Sequence, residues 1–252
     1  MTRVKEFFKR YIYAIIIYVL IFLVYKYVTD NGIANPYMFP TVDDIGEEFV
    51  RAGDTLFINL LHSFRLVFPS IAIALVIALG LGILLGMHPK LQAALSPVIY
   101  SFSVIPALLL SPFALLMAPS FKVASIFLIV YASIWATLFA TITGIMTIDK
   151  SYLDKAATLE IKGLKKMFKV ILPAASPSIL SGFVSSLRSS FMVLVFAEMN
   201  GAKYGMGFFI KSNSEIGLYD KTWAGFLFMV VVLVIVMQTF EFAKKKMLKW
   251  TM

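Results

Sequence analysis

The chain has 252 residues, of which 60% are hydrophobic and only 15% are charged. A water-soluble domain of this length needs more polar surface, and several apolar runs exceed the roughly 18 residues that indicate a membrane-spanning helix. The composition therefore excludes a soluble protein and leaves no length for a separate soluble catalytic domain.

The formal net charge of +9 would favour nucleic-acid binding in a soluble protein, but its placement favours a membrane role instead. Lys and Arg beside apolar runs mark cytoplasmic ends and attract anionic lipid headgroups. The residues concerned are Arg3, Lys5, Lys9 and Arg10 before the first run and Lys244, Lys245, Lys246 and Lys249 after the last. We expect no nucleic-acid partner.

The sequence contains few side chains that could bind a metal or catalyse a reaction. The absence of cysteine excludes disulfides and thiolate metal sites. The only two histidines, His62 and His88, are far apart and have no cluster of ligands nearby. A membrane enzyme needs convergent His, Asp or Ser groups, so we predict no catalytic residue, no metal site and no resident cofactor.

The first apolar run, residues 11–28, predicts an uncleaved first span, with a signal peptide as the alternative. Residues 29–54 carry six acidic side chains against Arg51 alone, and this depletion of positive charge predicts an external location. Within them, residues 43–52 predict a short amphipathic helix. We treat residues 1–55 as an N-terminal helix with an external segment.

The second predicted span, residues 66–87, contains a small-xxx-small pair, Gly82 and Gly86. Such a pair lets two helices approach closely in lipid. These glycines are too deep in an apolar run to form a phosphate-binding loop.

The third predicted span, residues 91–117, is interrupted by Pro106 and Pro112. Proline removes a backbone donor and kinks a helix, and in a membrane the freed carbonyls need protein or water partners. The neighbouring serines, Ser111 among them, are compatible with a transport path, and a packing kink is the alternative.

Three further spans are predicted at residues 122–146, 174–199 and 223–240, with a short glycine-containing segment before the last. Six spans return the C-terminus to the side of the N-terminus. The basic termini and the lysine-rich residues 149–172 fall on that side, and the acidic residues 29–54 fall on the other. We therefore predict an all-α, polytopic bundle of about six transmembrane helices with both termini cytoplasmic.

Residues 149–172 form the longest polar break in the second half, with six lysines against three acidic residues. Ser151 is the predicted N-cap of a helix with Asp154 in its first turn, and Gly163 is predicted to end or bend it. A second short helix, residues 164–171, precedes Leu172 and Pro173. A cytoplasmic pair of helices of this kind suits insertion into a groove of another protein. The lysines of this break either face solvent or lipid headgroups, or some of them contact acidic residues of a partner protein.

In this break the sequence resembles the permeases of binding-protein-dependent ABC importers. Their signature is Glu-Ala-Ala, three residues, Gly, nine residues, then Ile-x-Leu-Pro. Here Asp154-Lys155-Ala156 stands at its start, and Val170-Ile171-Leu172-Pro173 stands at its end. Glu160 occupies the position of the expected glycine, so either Gly163 takes over the turn or Glu160 caps a helix of different direction.

The resemblance extends from about Phe39 onward and is strongest to the nitrate, sulfonate and taurine branch. One departure is residues 117–121, where that branch has a Trp-Phe-Gly-like stretch. The supporting segments are Phe39-Pro40-Thr41, His62-Ser63-Phe64-Arg65, Ile105-Pro106-Ala107, Ser111-Pro112, Ala197-Glu198-Met199-Asn200-Gly201-Ala202 and Gly205-Met206-Gly207-Phe208-Phe209-Ile210.

The resemblance implies a type I importer permease in a bacterial cytoplasmic membrane, with residues 56–246 as the permease domain and 247–252 as a cytoplasmic tail. It implies a permease dimer, two cytoplasmic ATP-binding subunits and an external substrate-binding protein as partners. The chain has no Gly-x-x-x-x-Gly-Lys-Ser/Thr loop, so ATP-Mg would be bound by the partner. The residues implied in coupling to the ATPase are Asp154, Ala156, Ala157, Glu160, Gly163, Leu172 and Pro173.

Two ionisable residues of the fifth span are candidates for the translocation path. Arg188 lies among Ser185, Ser189 and other serines, and intramembrane arginines usually face a bundle interior or an aqueous cavity. It lines the path, where it would meet an anionic substrate, or it has a structural partner in the bundle. Glu198 has either a gating role or a capping or pairing role. Pro106 and Ser111 complete the predicted path.

The main alternative function is a secondary transporter or channel without an ATPase. Such proteins show internal repeats or several intramembrane carboxylates, and here Glu198 stands alone. For the substrate we expect a small anion such as a sulfonate or nitrate, with a vitamin precursor as the alternative.

Overall fold

The computed structural model describes the backbone of residues 2–249 and the side chains of residues 12–249. Within these ranges the regular structure is helical, with no strand. The side chains of Arg3, Lys5, Lys9 and Arg10 and the end of the predicted tail, residues 250–252, lie outside the described residues. The predicted all-α fold is confirmed for the part of the chain that is described.

The long helices agree with the predicted spans. Five described helices are long and apolar enough to cross a membrane, and the number becomes six when one bent pair counts as a single span. The helices are α1 (Thr2–Asp30), α2 (Val42–Arg51), α3 (Gly53–Met87), α4 (Pro89–Ser103), α5 (Ser111–Met117), α6 (Phe121–Met146), α7 (Lys150–Thr158), α8 (Gly163–Lys166), α9 (Leu172–Met199), α10 (Met206–Glu215) and α11 (Tyr219–Met247).

Helix α3 begins at Gly53, thirteen residues before the start that hydropathy predicted. Helical hydrogen bonding continues through residues that are too polar to count as membrane core. The short helix predicted at residues 43–52 is α2, and Thr41 caps it. The Thr41 hydroxyl accepts from the Asp44 N–H at 3.2 Å, and the Asp44 carboxylate accepts from the Thr41 N–H at 3.1 Å.

The third predicted span is broken. Helix α4 ends at Ser103, a 3₁₀ turn spans Ala107–Leu110, and α5 follows, with a bend of 73° between the two parts. Pro106 begins the turn in an extended conformation. The Tyr131 hydroxyl of α6 donates to the carbonyl of Phe102 beside the break, so a neighbouring helix supplies a partner for a carbonyl at the kink, as a break in a membrane helix requires.

The chain divides into two compact units, and the first comprises the described residues up to Phe57 with Phe209–Phe228. In it the loop after α1 is anchored by two aromatic side chains. The Tyr25 hydroxyl donates to the Pro40 carbonyl at 2.8 Å, and the Trp223 indole N–H donates to the Met38 carbonyl at 3.0 Å. The two rings also contact each other, with centroids 5.6 Å apart.

The second unit comprises Ile58–Phe208 and the described residues from Met229 on. Its centre is the contact between α6 and α9, where small residues replace bulky ones. The Gly182 backbone packs directly on Ala136 and Ala140. Two buried hydroxyl pairs join the helices: Thr137 with Ser186 at 2.8 Å and Ser133 with Ser190 at 2.6 Å. Close backbones and interhelical hydroxyl contacts are how helices associate when lipid removes the hydrophobic drive.

Helix α3 packs on α6 through the predicted glycine pair. A Cβ at Gly82 would lie 2.6 Å from Thr141 Cβ, and one at Gly86 would lie 2.9 Å from Ile145 Cβ. Both distances are shorter than van der Waals contact allows, so the glycines set the helix separation. The prediction that this pair serves close helix packing is confirmed.

Candidate functional site

The segment between α6 and α9 has the predicted helix–turn–helix form, but a different residue caps it. Asp149, rather than Ser151, is the N-cap of α7, and its carboxylate accepts from the Ser151 N–H at 2.8 Å. The hydrogen bonds from Ser151 hold the pKa of the Asp149 carboxyl below its usual value. The prediction placed the cap two residues late because serine and aspartate are both good caps and sequence alone does not choose between them.

Helix α7 ends at Thr158, earlier than predicted, and Glu160 makes the turn. The Ile161 N–H donates to the Ala156 carbonyl and the Glu160 N–H donates to the Ala157 carbonyl, both at 2.9 Å. This pair of bonds is a Schellman motif. Glu160 adopts a φ of +53°, in the left-handed region that normally selects glycine. The prediction that Gly163 ends α7 is wrong, because Gly163, also left-handed at +58°, begins α8.

Two contacts hold α7 against the start of α9. Leu153 packs on a buried cluster formed by Ile145, Ile171 and Ala175, and Ala156 is buried. A cavity of about 240 Å³ between the elements is lined by both Ala156 and Pro173. Two of the predicted coupling residues are therefore brought together, although they are 17 positions apart in the sequence.

Several large apolar side chains of this segment are not covered by the rest of the described chain. Tyr152, Leu159, Leu164 and Phe168 are exposed, with Leu164 at 72%. Several lysines of the segment are exposed around them, and so are Asp154, Ala157, Glu160 and Gly163. Large apolar groups set among charges are typical of a surface that another protein covers.

Glu198 lies at the centre of a buried polar cluster that organises the start of α10. Its Oε2 accepts from the Gly207 N–H at 2.8 Å, and the side chain is 2% exposed. The Asn59 side-chain oxygen accepts from the Gly205 N–H and the Ser63 hydroxyl from the Met206 N–H, each at 2.9 Å. Three successive N–H groups at the helix N-terminus are thus satisfied by α3 and α9.

The glycines of this cluster are required by its close packing. Gly205 has a φ of +117°, and a Cβ there would overlap the Glu198 carboxylate. A Cβ at Gly207 would lie 2.8 Å from Glu198 Cβ. The Glu198 carboxylate is therefore in capping geometry, with the Gly207 N–H as its donor and no ion pair to a described loop cation. Its gating role stays a prediction.

Arg188 lies on the exposed face of α9, away from α6. Ser185 shares this face and Ser189 is half-buried beside it, and the two hydroxyls bond to carbonyls of their own helix. Arg188 forms no ion pair with another described side chain. Among the side chains of residues 12–249, this cation therefore has no carboxylate partner.

The other two predicted path residues lie at the break of the third span. Pro106 is exposed, and Ser111 is half-buried with its hydroxyl donating to the Leu108 carbonyl at 2.8 Å. Neither lines the α7–α9 cavity.

Sequence reasoning missed Asn59 and did not assign a role to Ser63. Both face the same side of α3 because they are four residues apart. The available signals were the position of Ser63 within the family-like segment 62–65 and the three glycines at 201, 205 and 207. Their meeting across more than 140 residues is visible only in the fold.

Comparisons with known proteins agree on one family. The family model of the binding-protein-dependent transport system inner membrane component matches residues 74–248. The putative aliphatic sulfonates transport permease protein SsuC of Bacillus subtilis (strain 168) is 27% identical over 234 residues, which cover 92% of this chain and 84% of that protein.

Two other similar proteins are named for other anions. The nitrate import permease protein NrtB of Leptolyngbya laminosa is 31% identical, over 69% of this chain and 66% of its own length. The bicarbonate transport system permease protein CmpB of Synechococcus elongatus is 33% identical, over 62% of this chain and 56% of its own length. Among solved structures, a chain of the inward-facing MetNI methionine ABC transporter has a TM-score of 0.66 at 18% identity, covering 80% of this chain and 98% of that one. This likeness shows a shared fold.

Proposed function

Because the chain belongs to the family of binding-protein-dependent transport system inner membrane components, we propose that it forms the translocation path of an ABC importer and receives the movement of cytoplasmic ATPase subunits through residues 149–172. It is a multi-pass membrane protein of a family of transport subunits, not of enzymes. Residues 56–246 form the permease domain in this proposal, and two ATPase subunits hydrolyse ATP for it.

The uncovered apolar surface of residues 149–172 carries this proposal. Tyr152, Leu159, Leu164 and Phe168 are the groups that a groove of the ATPase would cover. Leu153 and Ala156 fix α7 to the base of α9, so a push on the surface moves α9 as well. Asp154 and Glu160 are exposed and available to basic groups of the partner. Leu172 and Pro173 begin the helix that receives the movement.

The test is a charge placed on this surface. Leu164→Asp should abolish co-purification of the ATPase subunit, because a buried unpaired carboxylate is costly at an interface. Val50→Asp is the matched control, since Val50 is also an exposed apolar residue, on α2. A complex that survives Leu164→Asp, and also survives deletion of residues 154–165, would overturn the coupling role.

We further propose that both termini and residues 149–172 are cytoplasmic. The absence of cysteine makes single-cysteine labelling clean. The permease is produced without its ATPase subunits, because they would cover Leu164. Leu164→Cys should then react with a membrane-impermeant maleimide in inverted vesicles only, and Val50→Cys in intact cells only. The reverse pattern would refute this topology and the coupling role with it.

The exposed polar face of α9 supports a path at the contact with a second copy of the chain. Arg188, Ser185 and Ser189 would face the pathway there, with Pro106 and Ser111 at the broken span. Arg188→Ala should reduce uptake of a small anion while ATPase co-purification stays intact. Unchanged uptake would remove Arg188 from the path.

For the substrate we propose a small anion, delivered by an external binding protein. The similar proteins are named for sulfonates, nitrate and bicarbonate, and an arginine in the path suits a negative charge. A vitamin precursor is the alternative. Identification of the molecule bound by the partner binding protein decides between them.

A further inference from the structure

A cavity of about 290 Å³ lies where the start of α6, the end of α9 and the adjoining part of α3 meet. Three cations line it: Arg65 of α3, Lys122 of α6 and Lys203 of the loop after α9. All three are exposed. None of them forms an ion pair with any side chain in the described range 12–249.

Aromatic groups and close packing give the cavity a defined shape. His62 and Tyr204 stack with ring centroids 4.8 Å apart and planes inclined by 18°, and both line the cavity. The loop that carries Lys203 packs on α6, because a Cβ at Gly201 would lie 3.1 Å from the Phe121 ring. The cations therefore project from a packed wall and not from a free loop.

The single carboxylate of the cavity does not neutralise the cations. Glu198 lines it, but its Oε2 accepts from the Gly207 N–H at the start of α10, where the helix dipole offsets its charge. Three cations against this one capped carboxylate leave the cavity with a net positive charge.

From these observations we infer that this cavity binds a small oxyanion, and that the ligand is the anion on its way into the importer. Lys and Arg side chains that line one cavity together with polar aromatic rings supply the charge-assisted donors that sulfonate, nitrate or bicarbonate oxygens accept. By the span order, the start of α6, the end of α9 and the first half of α3 lie towards the external side, where a binding protein releases its cargo. The inference rests on the proposed importer function.

A lipid phosphate has the same chemistry and is the competing source of the oxyanion. Four separate chain segments line the cavity, whereas lipid phosphates are met by cations on the outer surface of one or two helices. This arrangement favours a free anion, and the experiment separates the two sources.

The experiment measures binding of radiolabelled methanesulfonate, with unlabelled nitrate as competitor. The purified permease with its ATPase subunits is placed in nanodiscs of phosphatidylcholine, and in a second set with phosphatidylglycerol added. Lys203→Gln and Arg65→Gln should each weaken binding about five- to tenfold, as expected for loss of one partly solvated charged donor. Lys203→Arg should restore most of the affinity.

Lys221→Gln is the matched control. It removes one positive charge from the same side of the membrane by span order, and Lys221 does not line the cavity. Equal affinity of wild type and the two cavity variants would overturn the inference. So would an equal loss in Lys221→Gln, which would indicate a general surface-charge effect.

The phosphatidylglycerol set tests the lipid source. If methanesulfonate binds only when this lipid is absent, and the wild type retains more phosphatidylglycerol than Lys203→Gln does, the ligand is a lipid headgroup and the assignment to a transported anion fails. ATPase co-purification is measured on the same samples. Anion binding that depends on Lys203 without any ATPase association would refute the importer proposal and leave the anion site standing.

Discussion

Replacing Glu160 with glycine should stabilise the end of α7. Glu160 holds a φ of +53° at the position where a Schellman motif normally has glycine. A side chain in the left-handed region costs about 1–2 kcal/mol, and glycine removes this cost. The larger conformational entropy of glycine in the unfolded segment destabilises the variant by about 0.5–1 kcal/mol, which offsets part of this gain. The net gain in local free energy of unfolding is therefore about 0.5–1 kcal/mol.

Hydrogen–deuterium exchange of the peptide covering the end of α7 measures this gain. In Glu160→Gly the backbone amides of residues 160 and 161, which donate to Ala157 and Ala156 in the wild type, should exchange about two- to fivefold more slowly. Glu160→Ala is the control, because it removes the carboxylate and keeps a Cβ. Equal slowing in both variants would show that charge, and not backbone conformation, is responsible, and would refute the reasoning. Gly163→Ala, at φ +58° with open space around it, should have the opposite effect.

Three further substitutions test the packing and capping described above. Gly205→Ala should lower the free energy of unfolding by about 1–3 kcal/mol, because its Cβ would meet the Glu198 carboxylate at a strained φ. The loss is measured as a lower midpoint temperature of thermal unfolding in detergent. An unchanged midpoint would refute the close packing. Gly182→Leu should prevent α6 and α9 from packing, seen as loss of monodisperse protein on size exclusion, whereas normal elution would contradict it. Asp149→Ala should speed exchange of the Ser151 amide at pH 7. Because the pKa of Asp149 is lowered in the folded protein, the stabilisation of the α7 N-terminus by its carboxylate is complete above the ordinary aspartate pKa of about 3.9. This stabilisation is lost as the pH falls through the folded-state pKa. The difference in Ser151 exchange between wild type and variant should therefore shrink in acid. A difference that persists unchanged in acid would exclude the carboxylate as its cause.

The predicted spans were accurate where a single physical property sets them. Helix α6, Phe121–Met146, differs by one residue from its prediction because Ser120 caps it at the apolar boundary. Helix α3 differs by thirteen because its helical hydrogen bonds extend beyond the apolar stretch. Helix α10 was not predicted. Its ten residues are too polar for a span, and its N-terminus depends on oxygens of Asn59, Ser63 and Glu198, which lie far away in sequence.

In the segment that contains α7, the sequence predicted the helices but not the residues that cap them. A polar break with helix formers predicted a helix pair at residues 149–172, and the pair is present. The choice of Asp149 over Ser151, and of Glu160 over Gly163 at the turn, depends on φ and ψ angles that are set by the packing of Leu153 and Ala156 on the base of α9. Local propensity differs by too little to choose between Asp149 and Ser151 as the cap. At the turn it favours glycine, so propensity alone does not predict Glu160 there.

Hydropathy along this chain is enough to establish a membrane protein with five or six helical spans, because lipid imposes a requirement that each apolar segment must satisfy within itself. A family motif is enough to locate the polar break at residues 149–172. The polar side chains of a functional site, by contrast, find their hydrogen-bond partners on other segments of the chain. The capping of α10 by Glu198, the exposure of Arg188 and the gathering of Arg65, Lys122 and Lys203 at one cavity depend on which helices pack together. That choice is made by close contacts such as those of Gly82 with α6 and Gly182 with α6, which act between residues distant in sequence.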